Sequence, residues 1–228
     1  QAIPLNIPKN LPGVDWLGNR LAIRHDGIAF VAFDKNGQAI GFQIRLDGAT
    51  DAKYRWAKGM ASSHLSNGEL PLSVAIPESI TRPHLGFCEG IGAKPTLTAH
   101  RFGQRIIGAA GGNFVGSPEQ IQDNLGDYST DLAIDLYVDG GDVLNPSKLK
   151  AWERQVNFFQ SLGYAVQFPW WGQVSKTSHD CDELTESELN SVRYLSPDDF
   201  FKLAKDYQAQ ARWRKSKQFT AQMILNQE

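Results

Sequence analysis

Cysteine is scarce in this chain: two in 228 residues, Cys88 and Cys181, alongside two methionines. Two cysteines exclude a disulfide framework and a cysteine-rich zinc element, and the pair reads as ordinary buried thiols. No second histidine stands at zinc spacing from His179. No apolar run reaches the roughly 18 residues that a membrane helix requires, so no membrane association is expected. A basic-then-apolar leader is also missing, which points to the cytoplasm. The sequence opens on Gln1 and a proline-spaced stretch, Pro4, Pro8 and Pro12, and reads as an excised part of something longer. The stretch from Gly108 to Gly112 lacks the Gly-Lys-Ser/Thr of a P-loop and reads as a tight turn after a strand. A net charge of −2 gives no strong global pull on nucleic acid, although bases gather in the tail from Lys202 to Lys217.

What is present suffices for a core, with 41% hydrophobic residues and 11% aromatics. Two apolar runs, Gly27 to Phe33 and Ile40 to Leu46, flank Asp34-Lys35-Asn36-Gly37, which predicts a hairpin turning at Asn-Gly. Lys53 to Trp56 extends it into a small antiparallel sheet, and residues 1–80 read as an N-terminal mixed β subdomain. From His84 the rhythm becomes strand, helix, strand: His84 to Cys88, Lys94 to Arg101, Arg105 to Ala110. That alternation predicts an α/β domain over residues 81–185, a parallel sheet flanked by helices. Its clearest helix has Asn145 as N-cap and Pro146 in the first position. Leu149, Trp152, Val156 and Phe159 line one face, and Gly163 ends it. After Leu184 the chain reads as helical, a basic tail over 186–228 that includes Arg212, Arg214, Lys215 and Lys217.

Three acidic clusters stand at the ends of apolar runs: Cys88-Glu89-Gly90, Asp139-Gly140-Gly141-Asp142, and Asp180-Cys181-Asp182-Glu183. The runs before them, His84 to Cys88, Leu132 to Val138 and Tyr164 to Trp171, read as buried strands. In an open parallel sheet the carboxyl ends of the strands lie along one edge, where ligands bind, and right-handed crossovers bring the three clusters to that edge. Hard oxygen donors without histidine or thiolate partners favour Mg²⁺. Phosphoryl-transfer chemistry is the leading expectation.

In order, context and spacing these residues resemble a Toprim domain, the catalytic fold of bacterial-type primases, topoisomerases and some nucleases. Glu89-Gly90 stands where that family carries Glu-Gly at the end of a first strand, and Asp139 stands at the position of its Asp-x-Asp. Lys176 through Leu184 fits the Lys-containing ending of the Toprim-like primase modules of plasmid, phage and cyanobacterial replication proteins. The resemblance spans most of residues 20 to 205. It implies Mg²⁺- or Mn²⁺-dependent nucleotidyl transfer, priming single-stranded DNA from nucleoside triphosphates in plasmid or mobile-element replication, with a helicase or zinc-binding domain outside this chain. The implied metal ligands are Glu89, Asp139, Asp142, Asp180 and Asp182, with Glu89 as ligand or general base. Lys94, Arg45, Lys53, Arg55 and Lys176 would face phosphates or template, and Trp56, Trp170 and Trp171 would stack bases. The sequence departs from Asp-x-Asp in one respect: the second acid would fall at Gly141 and is found at Asp142.

Each feature also has a plainer reading. Glu89 could cap the following helix. Asp139 could be the acid of an Asp-Gly turn, and the acids at 180, 182 and 183 a solvated run. The basic residues suit an exposed sheet face, and the tryptophans a core. Two other functions use the same residues: a nuclease that activates water on a phosphodiester, and a binding module without chemistry.

Overall fold

The computed structural model describes residues 12–14, 26–48, 53–57 and 63–225, from 215 onward as backbone alone. Pro4, Pro8 and the side chains of Lys215 and Lys217 lie outside the described residues. The chain divides into two units, residues 1–132 and 133–228.

In the first unit β1 (Gly27–Phe33) pairs antiparallel with β2 (Ala39–Leu46), and β2 with β3 (Tyr54–Trp56). The connection is longer than a two-residue Asn-Gly turn, because Asp34 organises it. Its Oδ1 accepts from the backbone N–H of Asn36 at 2.9 Å and of Gln38 at 2.8 Å, an Asx turn that holds five residues between the strands. Alternation puts Val31, Phe42 and Ile44 on one face, where they pack with Val14 and Ala57.

The rest of this unit is α/β. The strands β4 (Ser73–Ala75), β5 (Leu85–Glu89) and β6 (Arg105–Ala109) run in the order β4-β6-β5, with β5 and β6 parallel and β4 antiparallel at the side. β4 falls within the first 80 residues, so that segment supplies a strand beside β6 as well as the small sheet. Helix α1 (Ala93–Phe102) links β5 to β6. Helix α2 (Pro118–Leu125) has Pro118 in its first turn, and its exposed amides are met by a distant acid. The buried Glu69 accepts from Glu119 N at 2.6 Å and from Gln120 N at 3.1 Å, a carboxylate at the positive end of the helix. Phe87 and Phe114 meet edge to face at 5.2 Å in the core between these elements.

In the second unit β7 (Ile134–Tyr137) and β8 (Val166–Trp170) are parallel, joined by α3 (Pro146–Ser161). Asn145 caps α3 as its sequence predicts, its side chain accepting from Ser147 N at 3.0 Å and Lys148 N at 3.4 Å. The region after Leu184 is not helical throughout. It forms α4 (Glu186–Asn190), then β9 (Arg193–Leu195) antiparallel to β8, then α5 (Pro197–Leu225). Ser191 closes α4, and Pro197 disfavours helical backbone at Ser196, so the residues between are left extended and pair with β8. α5 seals the unit with aromatic contacts: Phe200 stacks on Phe168 at 4.0 Å, and Trp170, 3% exposed, packs against Phe200 and Tyr207. Among the described residues no helix is long and apolar enough to cross a membrane.

Candidate functional site

The first unit places Glu89 at the carboxyl end of β5, opposite Ala109, and Gly90 N donates to Ala109 O at 2.8 Å, which fixes the strand end. Leu85, Phe87 and Cys88 are fully buried, whereas Glu89 is half-buried. Its Oε2 lies 3.7 Å from where a Cβ on Gly112 would stand, so the carboxylate overlooks the short turn Ala110–Gly112. Helix α1 begins after Gly92 with no acid in its first turn, and Lys94 belongs to that turn.

Across the small sheet Ile28 pairs with Arg45 and Arg45 with Tyr54, a row of three exposed side chains on one face. The next row on that face is Phe30, Gln43 and Trp56, and a Cβ built on Gly92 would stand 2.3 Å from the Phe30 ring. The face bearing Arg45 and Tyr54 is thereby joined through Phe30 to the turn that follows Glu89. Lys53 and Arg55 alternate with Tyr54 and belong to the opposite face, the side of Ile44. The three bases are therefore not one patch.

The second unit places Asp139 just past β7, half-buried, at the head of a loop held from two sides. From one side comes the segment after β8: Gly140 N donates to Asp180 Oδ1 at 2.8 Å, and Gly141 N to Gln173 O at 3.3 Å. The fit is close: a Cβ on Gly140 would stand 2.7 Å from Ser175 O, which leaves it no room, and one on Gly141 would crowd Lys176 Cγ at 3.1 Å. Gly141 also adopts φ +84, a left-handed backbone suited to glycine. From the other side, the Trp152 indole N–H donates to Asp142 Oδ2 at 2.9 Å, with Asp142 only 3% exposed.

Asp139, Asp180 and Lys176 thus meet around one glycine pair, and Asp182 follows on the same segment, half-buried beside the buried Cys181. Gln173, fully buried, shapes that segment by accepting from Trp171 N at 3.0 Å and donating to Pro169 O at 3.1 Å. His179 turns to Glu188, 2.9 Å away, whose hydrogen bond raises its pKa. The Glu188 carboxyl is held down to about 2, first by the Thr185 backbone N–H and then by His179. Trp170 is core, while Trp171 is half-buried with its indole N–H on His179 O. Sequence reasoning missed Trp152 and Gln173 as partners of the loop, and the buried Asp135, which accepts from Gln167 Nε2 at 2.7 Å. A lone acid inside the apolar run from Leu132 to Val138 was the only signal for Asp135.

Among the described residues no three Asp, Glu, His or Cys side chains gather into a ready-made metal group. The donors near the glycine pair are hard oxygens, the Asp180 carboxylate and the backbone carbonyls of Ser175 and Ser178, which fits Mg²⁺ or Mn²⁺. Such ions are commonly held by one or two carboxylates together with phosphates and water.

No protein-family model and no curated protein sequence matches the chain. Solved structures do. A DNA primase domain from Pseudomonas aeruginosa is 18% identical, with a TM-score of 0.54 over 81% of this chain and 56% of its own. A DnaG primase catalytic domain bound to single-stranded DNA is 15% identical, with a TM-score of 0.51 over 79% and 56%. A DnaG catalytic core is 16% identical, with a TM-score of 0.50 over 78% and 56%. The chain spans little more than half the length of these neighbours. It has the α/β fold of the primase catalytic domain that the Toprim resemblance implies.

Proposed function

We propose that the chain is a primase-like catalytic module that synthesises primers on single-stranded DNA from nucleoside triphosphates, with Mg²⁺ or Mn²⁺, in plasmid or mobile-element replication. The observation that carries this reading is the placement of the acids on a primase-type fold: Glu89 at the end of β5 and Asp139 just past β7, the positions that the resemblance marks. A divalent cation, when bound, stabilises charge on the phosphoryl oxygens. In the second unit Asp139, with Asp180 and Asp182 on the neighbouring segment, supplies carboxylates for it, and in the first unit Glu89 is the candidate acid. Lys94 in the first unit and Lys176 in the second are candidate partners of phosphate oxygens.

Arg45 and Tyr54 receive the template, the guanidinium on phosphate and the phenol ring against a base. One of the structural neighbours is bound to single-stranded DNA, which supports that partner. A cytoplasmic setting, and a helicase or zinc-binding domain outside these residues, belong to the same reading.

The buried carboxylate of Asp142 favours a second reading, a binding module without chemistry, because it removes one acid from the loop. Primer synthesis on single-stranded DNA with labelled nucleotides and Mg²⁺ separates the two. Synthesis by the wild type that falls by roughly a hundredfold or more in Glu89→Gln and Asp139→Asn supports the polymerising site. DNA cleavage without nucleotides would make it a nuclease. DNA binding indifferent to Mg²⁺ and to Glu89→Gln would make it a recognition module.

A further inference from the structure

We propose that Asp142 is a positioning residue, which ties the glycine loop to α3 through Trp152 so that Asp139 is the acid that this loop presents. The inference rests on the metal-dependent reading above and specifies how its second unit is built.

Three observations converge on it. An acid at position 141 would be strained: a Cβ there would stand 3.1 Å from both Lys176 N and Lys176 Cγ, on a left-handed backbone at φ +84 that favours glycine. Displaced by one residue, the side chain turns inward, where its Oδ2 takes the Trp152 indole N–H at 2.9 Å. Trp152 is itself fixed, 3% exposed and edge to face with Phe168 at 6.3 Å.

The backbone around Asp142 completes the tie. Asp142 N donates to Asp139 O at 3.1 Å, and Asn145 N to Asp142 O at 2.9 Å, leading directly into the Asn145 cap of α3. A carboxylate 3% exposed and bonded to an indole is placed to hold the loop, whereas a cation ligand must turn its oxygens toward the ion. On the opposite side Asp180 Oδ1 holds Gly140 N, so the residue after Asp139 is fastened from one direction and Asp142 from the other.

The test is a Mn²⁺ titration of the whole chain, followed by the free-ion signal in electron paramagnetic resonance, for wild type, D139N, D142N, D142A and W152F. Asparagine at 142 still offers an oxygen to the indole, so D142N is expected to keep the wild-type affinity within about twofold. D142A and W152F break the tie and are expected to lose about tenfold, the usual effect of removing a group that orients a ligand. D139N is expected to lose the most. Amide exchange from Gly140 to Asn145 should rise in D142A and stay unchanged in D142N.

Loss in D142N as large as in D139N, with W152F unaffected, would make Asp142 a ligand and overturn the proposal while leaving the metal reading intact. A wild type that binds no Mn²⁺ overturns both. If W152F does not fold, the two substitutions at 142 decide: loss in D142A alone supports the proposal, and equal loss in both overturns it.

Discussion

The ring of Phe30 occupies the space in which a side chain on Gly92 would have to stand, 2.3 Å from the nearest ring carbon to the Cβ position. This contact holds the small antiparallel sheet against the turn that follows Glu89. Gly92→Ala should lower stability by roughly 1–3 kcal/mol, the usual cost of overpacking. Urea unfolding of Gly92→Ala, with and without Phe30→Ala, checks this. The second substitution should recover part of the loss, and a Gly92→Ala protein as stable as wild type would show that the ring yields without cost.

Arg45 and Tyr54 lie side by side on the exposed face that continues to Phe30, whereas Arg55 belongs to the other face. If the template crosses the first face, Tyr54→Ala should weaken single-stranded DNA binding by about 1–3 kcal/mol, the size of one stacking contact. Arg45→Ser should reduce the salt slope by about 0.7, the value for one phosphate contact. Fluorescence anisotropy at several salt concentrations reads both. Equal salt-slope losses in Arg45→Ser and Arg55→Ser would mean that the faces are not distinguished.

The Glu188 carboxyl carries a pH signature. Its folded pKa lies near 2, against an ordinary 4.5, because ionised Glu188 accepts from the Thr185 backbone N–H and from His179. A depressed acid contributes stability above its unfolded pKa and loses it as pH falls through the folded value. The stability advantage of wild type over Glu188→Gln should therefore fade as pH falls from 4.5 to about 2, and above 4.5 it should hold until His179, whose pKa the same hydrogen bond raises, loses its proton. Thermal unfolding of the two proteins from pH 7 to 2 is the measurement, and a difference that stays constant as pH falls from 4.5 to 2 would contradict the assignment.

Phe200 anchors α5 by stacking on Phe168 at 4.0 Å and is fully buried. Phe200→Ala should cost roughly 3–5 kcal/mol, the range for removing a buried aromatic ring. Denaturant unfolding gives the number, and near-ultraviolet circular dichroism should show Trp170 losing its fixed surroundings.

Much of this was legible in the residues, wherever the signal was local. Asn145 and Pro146 announce the start of α3 because capping chemistry acts within one turn, and the run from Leu85 to Cys88 announces β5 because burial on both faces excludes polar residues. β9 was hidden because a three-residue strand has no period of its own; it exists only where β8 offers an edge. α2 was missed although Ser117 and Pro118 mark its start, because its amides are met by Glu69, some fifty residues earlier. The acids themselves could be picked out, but their partners could not. That Asp180 reaches Gly140 across forty residues, and that Asp142 finds Trp152, are facts of tertiary packing that spacing does not encode.

Cys88 and Cys181 are 0% and 1% exposed, one in each unit, and each is a chain neighbour of a candidate acid. A thiol reagent reaches such groups only when the local structure opens, so its rate of reaction measures that opening. The protein therefore carries two native clocks. Cys88 times excursions of the strand that ends in Glu89, and Cys181 times excursions of the segment that grips Gly140. A nucleotide or template that tightens one unit alone would slow one clock and leave the other running.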